Sequence, residues 1–426
     1  MIFAGSAAVL KAGGFLLSVW VARTLDPDQY GMWGLAYAFQ IGIATFGIVG
    51  IQESVVGLLQ THSNAPDRQR LFASAIGALA TTLSATLVVA LCGILLALAS
   101  RNIGPIGYVG IVVSGGLLTL TTLQAQMSRL EEDHLSSLSF SFAIPCAGVV
   151  GSAIAFTIEP SVDAFFAGSG VGLLMAASLL HRQLRGFDVP ISQVNDMRKQ
   201  VLQRISPFIL VAFFGWMSGY GSNFFVDRLF GLEDVGKLTF LLTVGSVLQL
   251  LTTSLNQVWA PRFYSLIYSQ QDRTTIERHN HRFYSVQAWG LGAFAAVCIA
   301  GVPHLLNYVG GNLTAYSHMR MEMLLIFASY IVLVPWTHCQ NYLLAFDKGK
   351  TLMHVVLISS IVGIFIWLVL MLTLGPIGIY LGFFIQMIIR TVGISLSVRE
   401  WHVRLSWGGT VGGIFLAGTG LLFPNV

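Results

Sequence analysis

Apolar runs of about twenty residues, the length a helix needs to cross a hydrocarbon core, recur from one end of this chain to the other. They fall near 2–22, 31–59, 72–99, 104–127, 136–157 and 161–180. They resume near 205–226, 236–260, 283–302, 322–345, 352–374, 376–397 and 407–423. Only 10% of the 426 residues are charged and mean hydropathy is +0.74, whereas soluble domains carry about 25% charge. Such a chain has too little polar surface to face water on all sides. The expectation is an all-α polytopic membrane protein, and no ten-residue alternation suggests a membrane barrel.

The placement of positive charge orients the segments. Loops after even-numbered spans hold 16 Lys and Arg and loops after odd-numbered spans hold 5. Cationic loops stay in the cytoplasm, so the N-terminus is expected there. The four cysteines, Cys92, Cys146, Cys298 and Cys339, all lie in apolar runs without a CxxC pair and read as packing residues. No basic region precedes the first run, so a cleavable signal peptide is not expected. The chain starts almost inside its first span and its last, WGGTVGGIFLAGTGLLF, is short. A few leading residues and a fourteenth span are therefore expected to be missing.

The longest polar stretch, HRQLRGFDVPISQVNDMRKQVLQ at 181–203, divides the spans into six and seven. The expected organisation is a six-helix lobe over 1–181, a cytoplasmic linker over 182–204, a second six-helix lobe over 205–398, and an additional helix within 399–426. A shift of 205 residues places Arg23 on Arg228, Asp28 on Glu233, Gly31 on Gly236 and Gln52 on Gln257. Each copy is a short charged hairpin between the first two spans of its lobe. An even number of spans separates the copies, so the halves share one orientation. Parallel repeats about an axis along the membrane normal are a transporter architecture. Two pseudo-symmetric bundles around a central cavity are the fold this implies.

The stretches VARTLDPDQYGMWGLAYAFQIGIATFGIVGIQESVVGLL and DRLFGLEDVGKLTFLLTVGSVLQLLTTSLNQVWAPRFYSLI resemble the opening helices of the two halves of bacterial polysaccharide (O-antigen type) flippases. That family belongs to the superfamily of multidrug and toxin extrusion antiporters and lipid II flippases. The resemblance implies two six-helix lobes, sometimes with two further helices. It also implies a lipid-linked oligosaccharide as cargo, with membrane lipids and the polysaccharide polymerase machinery as partners.

Lys11 lies twelve residues before Arg23, about 18 Å along a helix, and so near mid-membrane. A cation there costs roughly 2.5–3.5 kcal/mol; we read it as a contact for an anionic cargo, with snorkelling toward the cytoplasm as the alternative. Arg390, fourteen residues after Pro376, either lines the cavity or snorkels. Glu53, beside Gln52, either pairs with Lys11, takes up a proton, or forms a structural salt bridge. Gln52 and its equivalent Gln257 read as architectural groups that bind backbone. Asp227, Arg23 and Arg228 mark helix ends at the hairpins; Asp227 is a candidate for ion pairing or coupling, and the two arginines are also candidates to attract phosphate or acidic sugar. Gln40, Gln124, Gln126, Asn223 and Asn256 complete the polar set on the spans, either lining the cavity or bonding between helices. Arg129, in SRLEEDH, reads as a solvated loop residue, and QQDRTTIERHNHR as a basic cytoplasmic segment. The glycines of GSGVG (168–172) and GGTVGG (408–413) suit close helix packing.

His304, His338 and His354 have no metal-ligand spacing, so no metal and no cofactor is expected. No GxxxxGK[ST] occurs, which removes ATP hydrolysis by a P-loop, and nothing suggests a nucleic-acid partner. The leading function, as the resemblance implies, is a flippase, not an enzyme, that moves polyprenyl-pyrophosphate-linked oligosaccharide to the outer leaflet by alternating access. A cation-coupled multidrug exporter is the alternative, weakened because Glu53 is almost the only deep carboxylate. A membrane-embedded polymerase or ligase, which would want a large external loop, ranks lower, and a scaffold role stays open.

Overall fold

The computed structural model describes residues 2–59, 65–97, 103–180, 194–269, 272–401, 403 and 405–423. Among them every regular element is a helix. In chain order these are α1 (Ile2–Thr24), α2 (Pro27–Ile48), α3 (Ile51–Leu59), α4 (Ala65–Ala97), α5 (Pro105–Leu130) and α6 (His134–Leu138). A π-helical turn, Ser139–Ala143, leads into α7 (Ile144–Ile158), and α8 (Val162–Leu179) follows. The later elements are α9 (Asn195–Ser218), α10 (Ser222–Phe230), α11 (Leu232–Tyr268), α12 (Arg273–Val309), α13 (Arg320–Ala345), α14 (Gly349–Leu374), α15 (Ile377–Ser397) and α16 (Trp407–Gly418).

Eleven helical stretches among the described residues are long and apolar enough to cross a membrane. Of the other two expected spans, 2–22 folds as α1, and 407–423 forms the shorter apolar helix Trp407–Leu422. The molecule is an all-α polytopic membrane protein. Two spans read as single rods are broken. Gly50, at φ +64°, separates α2 from α3, and Gly219–Gly221 separate α9 from α10. Positive φ costs glycine little, so the first break is written at one residue.

By contacts the chain divides into two compact units, Met1–Trp20 with Met32–Asn223 and Val21–Gly31 with Phe224–Val426. In the first unit, a core joins Ile51 and Val55 of α3, Leu71 and Phe72 of α4, Met127 of α5, and Val201 and Ile205 of α9. That core explains why α9 begins at Asn195, inside the stretch read as a polar connector: Val201 and Ile205 are 0% and 2% exposed. Residues 182–193 of that connector lie outside the described residues. The glycines of 168–172 do serve close packing. Cβ atoms on Gly168 and Gly172 would lie 2.3 and 2.2 Å from the carbonyl oxygens of Gly151 and Ala147 on α7. Arg129 belongs to the last turn of α5 and its Nε donates to Ser137 Oγ at 3.2 Å. It is a helix-end group, where a loop residue was expected. Beside it Asp133 accepts from Ser136 N at 3.0 Å, and that bond holds its carboxyl below the usual carboxylate range.

In the second unit the basic segment at 270–282 is helical from Arg273 onward, because Ile276, Glu277 and Asn280 are buried against neighbouring helices. Gly409 and Gly413 of α16 lie against Ser285 and Ala288 of α12. The two repeated hairpins also meet here. A Cβ on Gly31 would lie 1.9 Å from Leu232 O and 3.1 Å from Gly236 N. A Cβ on Gly236 would lie 2.4 Å from Pro27 O and 3.3 Å from Gly31 N. Pro27 and Gly31 are the residues that the 205-residue shift places on Leu232 and Gly236. Each glycine thus faces the repeat equivalent of its own neighbour, the reciprocal pattern of a two-fold contact. Close by, Tyr316 is fully buried, stacks on Phe240 at 4.5 Å and meets Tyr30 edge-on at 6.0 Å.

Candidate functional site

Lys11 and Glu53 both belong to the first unit. Both side chains are exposed. No ion pair joins them among the described residues, so the pairing considered from the sequence is not formed. Gln52 Nε2 donates to Thr122 O at 3.2 Å, the backbone bond expected of it. Gln257 is exposed and makes no such bond among the described residues, so the two equivalent glutamines differ. Gln40 Nε2 bonds Ser114 Oγ at 2.6 Å, and Asn223 Nδ2 reaches Gly34 O at 3.4 Å. Gln124 is wholly buried and Gln126 half-buried. Cys92 is helical, its side chain outside the described residues; Cys339 is buried and Cys146 and Cys298 half-buried.

The second unit holds Arg23, Asp227, Arg228 and Arg390. Arg23 and Arg228 are exposed at the hairpins and Asp227 is half-buried; the backbone oxygen of Arg23 packs near Gly311. These groups sit at helix ends, as the sequence implies. Arg390 is different. Its Nε donates to Ser359 Oγ at 3.3 Å and its Nη2 to Ser360 Oγ at 3.0 Å, and its guanidinium lies 5.8 Å from the Trp336 ring centroid. Ser360 stands eleven residues into α14, about 16 Å from its start. The guanidinium is therefore directed at the middle of its neighbour and not drawn to a helix end. Among the described residues no carboxylate pairs with it.

A second polar group in this unit is spread over α11, α12 and α13. Asn341 Nδ2 donates to Asn256 Oδ1 and to Tyr284 Oη, both at 2.8 Å, while Tyr284 Oη donates to Asn256 Oδ1 at 2.9 Å. Tyr342 donates to Glu277, and Asn280 joins Trp259 Nε1 at 2.7 Å to Tyr342 Oη at 3.3 Å. His338 is 1% exposed, stacks on Tyr284 at 4.6 Å, and neither ring nitrogen has a hydrogen-bond partner among the described residues. Sequence reasoning named Asn256 and His338 and missed their companions. The members come from three helices and share no local spacing, so no sequence signal points to them together. Asn341→Ala would leave Asn256 and Tyr284 short of a donor in a site where Tyr284 and Asn341 are buried and Asn256 is half-buried. It is expected to cost about 1–2 kcal/mol, read as a lower unfolding midpoint of the purified protein. Gln257→Ala, at an exposed position, should leave the midpoint unchanged; equal losses would show that the network adds nothing.

No protein-family model matches the chain, and no curated protein matches it in sequence. Solved structures do match its fold. One is an inward-facing multidrug resistance MATE family transporter of the MOP superfamily, with TM-score 0.71 at 12% identity over 92% of this chain and 94% of that one. Another is the lipid II flippase MurJ in an inward closed conformation, with TM-score 0.66 at 14% identity over 99% and 97%. A eukaryotic MATE transporter follows with TM-score 0.57 at 12% identity over 97% of each chain. The chain has the MATE- and MurJ-like fold of two repeated helical bundles.

Proposed function

We propose that this chain is a flippase of the bacterial inner membrane, with a cytoplasmic N-terminus. It carries a polyprenyl-pyrophosphate-linked oligosaccharide from the cytoplasmic to the outer leaflet for surface polysaccharide synthesis. Its two repeats, with the last helix outside them, would supply the alternating access that carries the cargo across. The reading adds no covalent step, so the protein is not an enzyme, and polymerase machinery is the partner that consumes its product. The observation that carries it is charge balance: Arg390 is a cation inside a span with no carboxylate partner among the described residues. Lys11, exposed on α1 and also unpaired among them, has the same sign. A cation at membrane depth costs several kcal/mol and persists where it serves a pathway, and pyrophosphate is a group that either cation would attract. Arg23 and Arg228 would attract the same group at the mouth of the path. Glu53 and Asp227 would exchange a coupling ion or hold helix ends.

The likeness to multidrug MATE transporters favours a second reading, export of cationic drugs. That chemistry wants deep carboxylates, which are scarce here. The deciding experiment follows lipid-linked oligosaccharide in a strain lacking this protein. Accumulation on the cytoplasmic leaflet is expected, with Lys11→Ala restoring export at least fivefold less well than the intact chain at equal protein level. Normal leaflet distribution together with drug hypersensitivity would replace the flippase by the exporter.

A further inference from the structure

The first unit contains a line of aromatic rings that none of the roles above uses. On α2, Trp33 and Tyr37 stack at 5.3 Å with planes 6° apart. Tyr37 meets Tyr220 edge-on at 5.9 Å, and Phe46 contacts both Trp216, at 5.7 Å, and Phe213, at 6.3 Å. Tyr37 lies ten residues after the start of α2, and Tyr220 lies ten before the end of α10, about 15 Å in from that end of each helix. From Tyr37 to Phe46 the line runs nine residues, about 13 Å along the helix. Phe213 and Tyr220 are 40% and 39% exposed, so the rings offer faces as well as filling space. Trp216 is fixed in place: its Nε1 donates to Ala38 O at 3.0 Å, and Gly42 leaves room for the indole, since a Cβ there would lie 3.1 Å from Nε1.

A second feature coincides with this line. Tyr220 sits in the break between α9 and α10, where Gly219 N and Gly221 N both donate to Trp216 O, at 3.1 and 2.9 Å, in place of regular helical bonds. Unwound backbone at membrane depth survives only inside protein or against a water-filled cavity, and interrupted helices mark transporter binding sites. The chain carries no Asp or Glu from Gln29 to Gln52 or from Met197 to Val226, so the line has no charge to hold a cationic drug. An acyl tail would gain nothing from two tyrosine hydroxyls or from the irregular backbone of the break. A sugar ring uses both, because its C–H face packs on an aromatic ring while its hydroxyls seek hydrogen bonds.

We infer that Tyr37, Phe46, Phe213, Trp216 and Tyr220, beside the break at 219–221, form a carbohydrate track that takes pyranose rings by face-to-face stacking. The track deepens the flippase reading and rests on it. It places recognition of the glycan on the first unit, apart from the cationic contacts of Arg390.

The test uses the full chain in lipid nanodiscs and two probes: a polyprenyl pyrophosphate carrying a hexose pentasaccharide, and the same lipid without sugar. The intact chain should bind the glycosylated lipid about tenfold more tightly. Tyr37→Leu and Tyr220→Leu, which keep apolar bulk, should lose most of that preference, and Tyr220→Phe, which keeps the stacking ring but not the hydroxyl, should retain more of it than Tyr220→Leu. On the intact chain, saturation of the aromatic protons should transfer to the sugar-ring C–H protons, a readout that needs no variant. Equal affinity of the intact chain for both lipids, an unchanged preference in the leucine variants, or no transfer overturns the track and leaves the flippase standing. Saturable binding of neither lipid overturns both.

Discussion

Gly31→Ala is expected to abolish most of the folded protein. The added methyl would stand 1.9 Å from Leu232 O and 2.8 Å from its carbonyl carbon. Both atoms are backbone, so no rotamer change relieves the clash and the two hairpins must separate. Overpacking of this kind costs about 1–3 kcal/mol and occasionally more; a contact with backbone on both sides falls at the upper end. Gly236→Ala, 2.4 Å from Pro27 O, should behave the same way. Gly13→Ala and Gly14→Ala are the controls, since nothing among the described residues lies within 4 Å of a Cβ at either and alanine favours a helix. The comparison is read as the monodisperse fraction after extraction and as the unfolding midpoint. Comparable losses at Gly13 would mean that the hairpin contact is not special.

Arg390→Leu is the second large effect, and it separates function from stability. Leucine removes a half-buried charge, and the Ser359 and Ser360 hydroxyls it abandons can turn to their own helix, where Ser359 already bonds Val356 O at 3.0 Å. Yield and midpoint should therefore hold or rise. A charge-assisted bond to phosphate is worth roughly 1.5–3 kcal/mol, so export should fall about ten- to hundredfold. Arg390→Lys keeps the charge but not the planar fork that bridges two serines, and should recover only part of the rate. Full export by Arg390→Leu would assign the arginine to packing alone.

How much of this was legible in the sequence depended on how far each signal reached along the chain. The spans were legible because twenty apolar residues in a row are a local property. The hairpin repeat was legible because Arg, acid and Gly recur at fixed offsets, and the contact between Gly31 and Gly236 gives those offsets a reason. The early start of α9 was not, since the polar residues of 195–204 hide Val201, whose burial depends on α3 and α4. The break at 219–221 reads in sequence as two glycines around a tyrosine, a pattern that packed helices tolerate equally well. Arg390 was ambiguous until Ser359 and Ser360, thirty residues away, showed which way it points. The aromatic line and the Asn341 network join helices that only the fold brings together.

The division into two compact units has a consequence for biosynthesis. The first unit includes α9 and ends at Asn223, and the second takes in Val21–Gly31 from near the start. A ribosome adding roughly 5–20 residues per second therefore makes Val21–Gly31 some ~10–40 s before Phe224 and the helices it packs on. Through that interval the first hairpin is inserted without its partner, and the first unit lacks its closing helix until the chain has passed its midpoint. The second unit therefore cannot mature until the chain has passed its midpoint, and a ribosome that stalls between the two hairpins leaves Val21–Gly31 without the helices it packs on.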